Sequence, residues 1–302
     1  MMEAALISEN PFAPNPNLMV WFGTELVPVG EARISVFDHG LLYGDGIFEG
    51  IRVYNGKIFK EAEHLQRFVE SAKAIRLDLP MTVAQISDAM YETLRANGVT
   101  GDGYIRLLAT RGIGLLGISV HKAACPTIVV ISDKISLYPA EVYDRGLRCV
   151  VSSYARNHVN AISPRVKSLN YLNNVMAKLE AYDAGADEAV LLNSDGQITE
   201  CTGDNIFLVR NKVLMTPPAS AGILEGVTRG VVMELAKRRN LPVHETVLVR
   251  HDLYVADECF ATGTAAEIVP ITEVDKRLVG DGRPGPITKR LIQDFIIYRT
   301  AK

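Results

Sequence analysis

No apolar run in this chain approaches the ~18 residues that a membrane-spanning helix needs. Neither Lys nor Arg precedes Arg33, so the basic start of a secretory signal is missing. Basic residues form no long run or stripe. The 32 Lys and Arg stand against 35 Asp and Glu, a net charge of −3, which argues against a nucleic-acid or anionic-membrane partner. Cysteine is sparse: Cys125, Cys149, Cys201 and Cys259 are widely spaced, with no C-x-x-C and no Cys/His pair at zinc-finger spacing. The expectation is a reduced cytoplasmic protein with four incidental thiols and no metal. Several catalytic signatures are missing too. There is no G-x-x-x-x-G-K-[ST] phosphate loop, no G-x-S-x-G nucleophile elbow, and no H-x-x-x-H or H-E-x-x-H pair. Residues 44–50, Gly-Asp-Gly-Ile-Phe-Glu-Gly, imitate part of a dinucleotide fingerprint, but they run into a strand where that fingerprint needs a helix.

What is present describes a soluble globular chain. It has 302 residues, 48% hydrophobic and 22% charged, enough for about two domains and a core that needs no staple. Residues 1–17, rich in Pro and Asn, read as an irregular arm. A hairpin around Gly23 is expected over 19–29, and a stronger one over 47–60, where Asn55-Gly56 is the preferred type I′ turn pair. Leu65, Phe68, Val69, Ala72 and Ile75 recur at helical spacing over 61–75. A second helix follows Pro80, with Thr82 and Gln85 as a capping box, and stops at Gly98. Strands are expected at 104–110 and 127–132. Strands, two helices, then strands is an α+β order rather than regular βαβ alternation. Weak periodicity and Pro139 make 133–146 a linker. The predicted organisation is therefore an N-terminal α+β domain over 1–132, a linker over 133–146, and a C-terminal domain over 147–302. The second half should hold a strand at 147–153, a helix over 170–184 ended by Gly185, hairpins over 188–217, a helix over 228–239, a strand-rich stretch over 243–269, and a helix from after Pro286 to about 298.

Lys167 falls between a predicted strand and a predicted helix. A lysine desolvated in a cleft loses proton affinity and becomes a nucleophile able to form a Schiff base. Eleven other lysines are present, and a surface position explains any one of them. Gly226-Val227-Thr228 opens a helix, and Thr262-Gly263-Thr264-Ala265-Ala266 follows a strand. Small residues and unpaired N–H groups at such places can receive a phosphate; an ordinary cap and a tight turn look the same. Two such loops beside a Schiff-base candidate point together to pyridoxal phosphate. That cofactor needs an acid at its ring nitrogen, for which Glu200 and Asp204 are candidates, and takes a cation at its phosphate, for which Arg67 is one. His39 and His64 are compatible with a site or with a structural hydrogen bond.

Over about residues 19–298 these segments resemble the fold-type IV pyridoxal-phosphate enzymes, and among them the branched-chain amino acid aminotransferases. The likeness rests on FDHGLLYGDGIFEGIR (37–52), EHLQR (63–67), YIR (104–106), VKSLNYLNN (166–174), ECTGDNIF (200–207), LEGVTR (224–229) and TGTAAEIVP (262–270), in this order and spacing. It implies a two-domain α+β and α/β fold: a smaller N-terminal α+β sandwich and a larger C-terminal β-barrel-like domain with helices. It implies pyridoxal 5′-phosphate, with Lys167 as the Schiff-base lysine and proton shuttle, Glu200 at the pyridine nitrogen and Tyr171 at the phenolic oxygen. Arg67, Val227, Thr228 and Thr264 would hold the phosphate. The amides of Thr264 and Ala265 would receive the substrate α-carboxylate, with Tyr104 near. Tyr43, Phe48, Tyr138 and Tyr171 would wall the side-chain pocket, where Arg106 would meet the distal carboxylate of glutamate or 2-oxoglutarate. Leu116, Gly117 and Ile118 would lie on a loop reaching a partner subunit, so the implied assembly is a homodimer or a dimer-based hexamer. The implied substrates are amino acids and 2-oxo acids, exchanged by ping-pong kinetics. Residues 134–137, Lys-Ile-Ser-Leu, depart from relatives that carry a Trp-containing loop there. A D-amino acid transaminase and an aminodeoxychorismate lyase share the lysine, glutamate and phosphate loops; residues 49–52 and 104–106 set this chain with the branched-chain group.

Overall fold

The structure, a computed structural model, describes residues 14–135 and 137–300; the irregular arm expected over residues 1–17 lies outside them up to residue 13. The chain divides into two compact units. One takes the described residues up to Lys57 together with Ala72–Lys134, and the other takes Ile58–Ser71 with Ile135 onward.

The first unit is built on an antiparallel sheet in the order β2-β1-β6-β5-β3-β4. Its strands are β1 (Met19–Phe22), β2 (Glu25–Pro28), β3 (Gly46–Tyr54), β4 (Lys57–Ile58), β5 (Gly103–Thr110) and β6 (Thr127–Asp133). Both predicted hairpins form. Asn55 and Gly56 have φ of 50° and 73°, the positive pair a type I′ turn requires. The two-residue period of the strands sorts their side chains. Ile105, Leu107 and Ala109 are buried on one face of β5, whereas Tyr104, Arg106 and Leu108 lie on the other, opposite Arg52, Gly50 and Phe48 of β3. Helix α1 (His39–Tyr43) is capped by Asp38, whose carboxylate accepts from the Gly40 N–H at 2.7 Å. Helix α2 (Glu61–Ala74), whose residues up to Ser71 belong to the second unit, precedes α3 (Val83–Ala96), which packs on β1 and β6 through Ile86, Ala89, Met90 and Leu94. The predicted capping box at its start is present, with the Thr82 N–H donating to Gln85 Oε1 at 2.8 Å and the Gln85 N–H to Thr82 Oγ1 at 3.3 Å.

The second unit is a mixed nine-stranded sheet: β7 (Leu147–Val151), β8 (Glu188–Leu192), β9 (Ile198–Cys201), β10 (Asn205–Arg210), β11 (Val213–Thr216), β12 (Val243–Glu245), β13 (Glu258–Gly263), β14 (Glu267–Val274) and β15 (Arg277–Leu278). The order is β12-β11-β10-β13-β14-β7-β8-β9, with β15 on β14. The sheet curls so far that β9, at one end of the order, meets β10, giving the expected barrel-like form. Alternation fills both sides of the sheet. Ile206, Leu208, Cys259 and Ala261 join one core with Leu147, Val190 and Val269; Phe207, Val209 and Phe260 join another beneath two helices introduced below. Three of the four thiols are buried, Cys149, Cys201 and Cys259; Cys125 is exposed.

Two boundaries differ from the sequence expectation. Residues 58–71 pack with the second unit, because Phe59 meets Phe295 and Tyr298 edge-on there. The stretch 133–146 holds a short helix, α4 (Ala140–Arg145), whose Val142 is buried in the second unit's core. The further helices are α5 (Leu172–Asp183), α6 (Val227–Arg238), α7 (Arg250–Val255) and α8 (Pro286–Thr300). The second core lies under α6 and α8. Helices α1, α4 and α7 are too short to show apolar periodicity, and α7 falls inside the stretch expected to be strand-rich. None of the described helices is long and apolar enough to cross a membrane.

The first unit is braced by Arg111. Its Nε and Nη2 each donate to Asp45 at 2.9 Å, and its Nη1 and Nη2 cap the carbonyls of Arg76 and Ile75 at 2.6 and 2.8 Å. Truncation strands a partly buried carboxylate and two carbonyls. Arg111→Met should therefore destabilise the protein by about 3 kcal/mol, read as a lower urea midpoint. An unchanged midpoint contradicts the brace.

Candidate active site

The second unit contains a cavity lined by Arg67, Lys167, Glu200, Gly203, Asp204, Asn205, Leu224, Gly226, Val227, Thr228, Thr262, Gly263 and Thr264. Lys167 enters from the loop before α5, where its own N–H donates to Ser71 Oγ at 3.2 Å. Its Nζ donates to the Tyr171 hydroxyl at 3.1 Å, four residues on, so the start of α5 aims the amine.

Glu200 is the third residue of β9, whose four residues are all buried, and it is 5% exposed. Its Oε1 lies 3.0 Å from both Nε and Nη2 of Arg156, and its Oε2 accepts from Asn205 Nδ2 at 3.1 Å and the Leu224 N–H at 3.0 Å. Burial pushes its pKa up, while the Arg156 charge, the Leu224 N–H and Lys167 pull against that rise. Asp204 is also buried. Loss of water and then the nearby Glu188 push its carboxyl up to about 7. Glu188 is held by Lys178 Nζ at 2.7 Å, the Tyr138 hydroxyl at 3.1 Å and Thr202 Oγ1 at 2.5 Å.

Helix α6 begins at the cavity. Gly226, its N-cap, makes no side-chain cap, and the first amides of a helix have no partner within it. A Cβ on Gly226 would lie 2.0 Å from Asn205 Oδ1, and one on Gly263 would lie 1.7 Å from Asp204 Oδ1. Both glycines are therefore dictated by close approach. The Arg67 guanidinium is fixed here by donating to the Glu225 carbonyl at 3.0 Å. Thr262 Oγ1 is buried with no hydrogen-bond partner among the described residues, a condition that costs about 1–3 kcal/mol until something bonds to it.

Lys167, Glu200, Arg67, Val227, Thr228 and Thr264 thus share one cavity, and Tyr171 contacts Lys167 at its edge. Ala265 follows Thr264 in the turn between β13 and β14. Tyr138, expected in the side-chain pocket, packs its ring edge-on against Tyr143, and its hydroxyl donates to Glu188 at 3.1 Å. The remaining expected residues gather in the first unit. The Arg106 guanidinium lies 4.5 Å from the centre of the Phe48 ring and 5.8 Å from that of Tyr104. Gly50 makes room for Tyr104, since a Cβ there would meet its hydroxyl at 2.0 Å. The Tyr43 hydroxyl accepts from the Gly117 N–H at 2.7 Å, and a His39 ring nitrogen pairs with the Leu115 carbonyl at 3.0 Å. Between these ties Leu116 and Ile118 stand 66% and 86% exposed. Sequence reasoning missed Arg156, Asn174 and Thr262. Thr262 opens, and Asn174 closes, a motif quoted above without a role for that residue, but nothing around Arg156 in the chain marks it.

A lysine, a buried acid and a helix N-terminus around one cavity are accompanied by likeness to known proteins. The family model for amino-transferase class IV matches residues 46–274, and the chain belongs to that family. It is 48% identical to a Methanocaldococcus jannaschii protein named "Putative branched-chain-amino-acid aminotransferase", over 94% of this chain and 97% of that one. It is 38% identical to the branched-chain-amino-acid aminotransferase of Escherichia coli K12, over 91% of each. The crystal structure of the T.th. branched-chain amino acid aminotransferase with pyridoxamine 5′-phosphate superposes with a TM-score of 0.90 at 37% identity, over 94% of both chains.

Asp204 makes the unliganded protein pH-sensitive. Its folded pKa, about 7, lies above its ordinary 3.8, so the folded state binds the proton more tightly. The stability this contributes is full below about pH 4 and lost as pH rises toward 7. Asp204→Asn should flatten the fall in melting temperature across that window; parallel curves for the two proteins refute it.

Proposed function

We propose that this aminotransferase uses pyridoxal 5′-phosphate to move the amino group of L-leucine, L-isoleucine or L-valine to 2-oxoglutarate. The products are the branched-chain 2-oxo acid and L-glutamate, formed by a ping-pong mechanism in the cytoplasm. The observation that carries the reading is the shared cavity, in which the Lys167 amine faces a buried, arginine-paired Glu200 beside the start of α6. The named relatives support the substrates, and the solved pyridoxamine 5′-phosphate complex supports the cofactor. The cavity also fits the cofactor on its own terms: helix amides without a side-chain cap suit a phosphate, and the orphaned Thr262 hydroxyl calls for a ligand.

Bound there, the cofactor supplies an aldehyde that takes up the amino group and a ring that accepts the electron pair of the broken Cα–H bond. Lys167 Nζ holds the cofactor at rest and then carries a proton between the substrate α-carbon and the cofactor C4′. Tyr171 orients that amine and lies against the phenolic oxygen. Glu200 pairs with the ring nitrogen. Arg67, Val227, Thr228 and Thr264 hold the phosphate, which keeps the cofactor bound while Lys167 is displaced. The Thr264 and Ala265 amides take the α-carboxylate. Tyr43 and Phe48 supply apolar surface for a branched side chain, and Arg106 meets a distal carboxylate.

The assembly we infer is a homodimer at least. In the first unit, the segment around Phe37 and Leu41 is bonded to that around Ile113 and Leu115, and all four side chains are exposed. Contiguous exposed apolar surface marks an interface.

The visible spectrum of the reconstituted protein tests the reading. L-leucine should bleach the cofactor band of the wild type and D-alanine should not, and Lys167→Ala should be inactive over repeated turnovers yet folded. A band that answers only to D-alanine, or turnover without Lys167, refutes it. A second measurement separates the half-reactions. Arg106→Leu should slow the 2-oxoglutarate half-reaction by roughly ten-fold or more, the loss of a charge-assisted pair, and spare the leucine one. Equal losses exclude a shared pocket for carboxylate and aliphatic chains.

A further inference from the structure

Resting on that reading of the cavity, we propose that Arg156 is the positioning residue of the site. It holds Glu200 as an anion in one orientation, so that the shared proton resides on the cofactor's ring nitrogen and not on the carboxyl.

The geometry is specific. Arg156 is buried, and two of its nitrogens converge on the same Glu200 oxygen, each at 3.0 Å. Its third nitrogen, Nη1, reaches Asn174 Oδ1 at 3.3 Å, and Asn174 Nδ2 in turn donates to the Thr202 carbonyl at 2.7 Å. Its backbone N–H is fixed on the Leu192 carbonyl at 2.8 Å. The guanidinium is thus clamped between α5, which begins just after Lys167, and the strand carrying Glu200. A lysine has one point charge and no planar fork, so it cannot span these partners.

Charge decides what the clamp does. Around Glu200 the buried neighbours include Asp204 and, beyond it, Glu188, both acidic; Lys167 opposes them from across the cavity. Without Arg156, burial and the acidic neighbours favour a neutral carboxyl. The proton between Glu200 and the ring nitrogen would then stay on Glu200, with the proton count of the pair unchanged. Asn205 Nδ2 and the Leu224 N–H hold only the other oxygen and bring no full charge. A ring nitrogen without its proton accepts electrons poorly, so an arginine that never touches the cofactor would govern how well it works.

The test reconstitutes the wild type, Arg156→Gln, Arg156→Lys and Asn174→Ala with pyridoxal phosphate labelled with 15N in the ring, and reads the ring-nitrogen chemical shift and the cofactor affinity. The wild type should show the protonated ring position. Arg156→Gln should move the signal toward the unprotonated position, and Arg156→Lys, which keeps the charge, should restore much of it. Asn174→Ala, which loosens the guanidinium but leaves it in place, should move the signal part of the way. A protonated shift in Arg156→Gln overturns the proposal. If that variant does not fold, a wild-type shift in Asn174→Ala overturns it instead. Wild-type protein that binds no cofactor defeats the underlying reading of the cavity, an outcome separate from either.

Discussion

The Glu200 carboxylate is tied to several separate segments of the second unit. A buried anion must recover from its neighbours what it loses in water. Here the neighbours come from separate places: Arg156 from the segment after β7, Asn205 from β10, Leu224 from the approach to α6, and Asn174 through Arg156 from α5. These segments also deliver Lys167, Asp204 and the start of α6 to the cavity. Satisfying one carboxylate therefore draws the working parts of the site together, and a loss at any contact is felt by the rest.

Close approach complements charge. Gly226 and Gly263 face side chains that a methyl group would strike, Asn205 and Asp204. Neither glycine has a positive φ, so backbone freedom is not the reason for them. They are there because helix and strand come within touching distance of polar side chains that line the cavity. In the first unit Gly50 serves Tyr104 in the same way. In each case a small residue is part of the shape of a site to which it contributes no chemistry.

Much of this was legible in the sequence where a local rule applies. Asn55-Gly56 announced its turn, Thr82 and Gln85 announced their cap, and the apolar spacing of α2 and α3 set their extent within a residue or two. The cavity residues were legible through ordered motifs, which placed Lys167, Glu200 and Thr228 about one cavity although they lie far apart in the chain. What escaped had no local signature. Arg156 sits in an irregular segment and takes its meaning from Glu200, 44 positions away. The Tyr138 hydroxyl donates to Glu188, 50 positions on, a tie that nothing in its own neighbourhood announces. Partners this distant are set by tertiary packing, which composition and periodicity do not encode.

The path of the chain between the units sets a limit on taking the protein apart. Residues 58–71 belong with the second unit but are spelled out between two segments of the first. They carry Arg67 and also Ser71, which holds the backbone of Lys167. A fragment beginning at residue 135 would lack both. No single cut frees an intact second unit, and any exchange of modules between relatives would have to be made at three junctions at once. The second unit therefore depends on a chain that runs unbroken through the first.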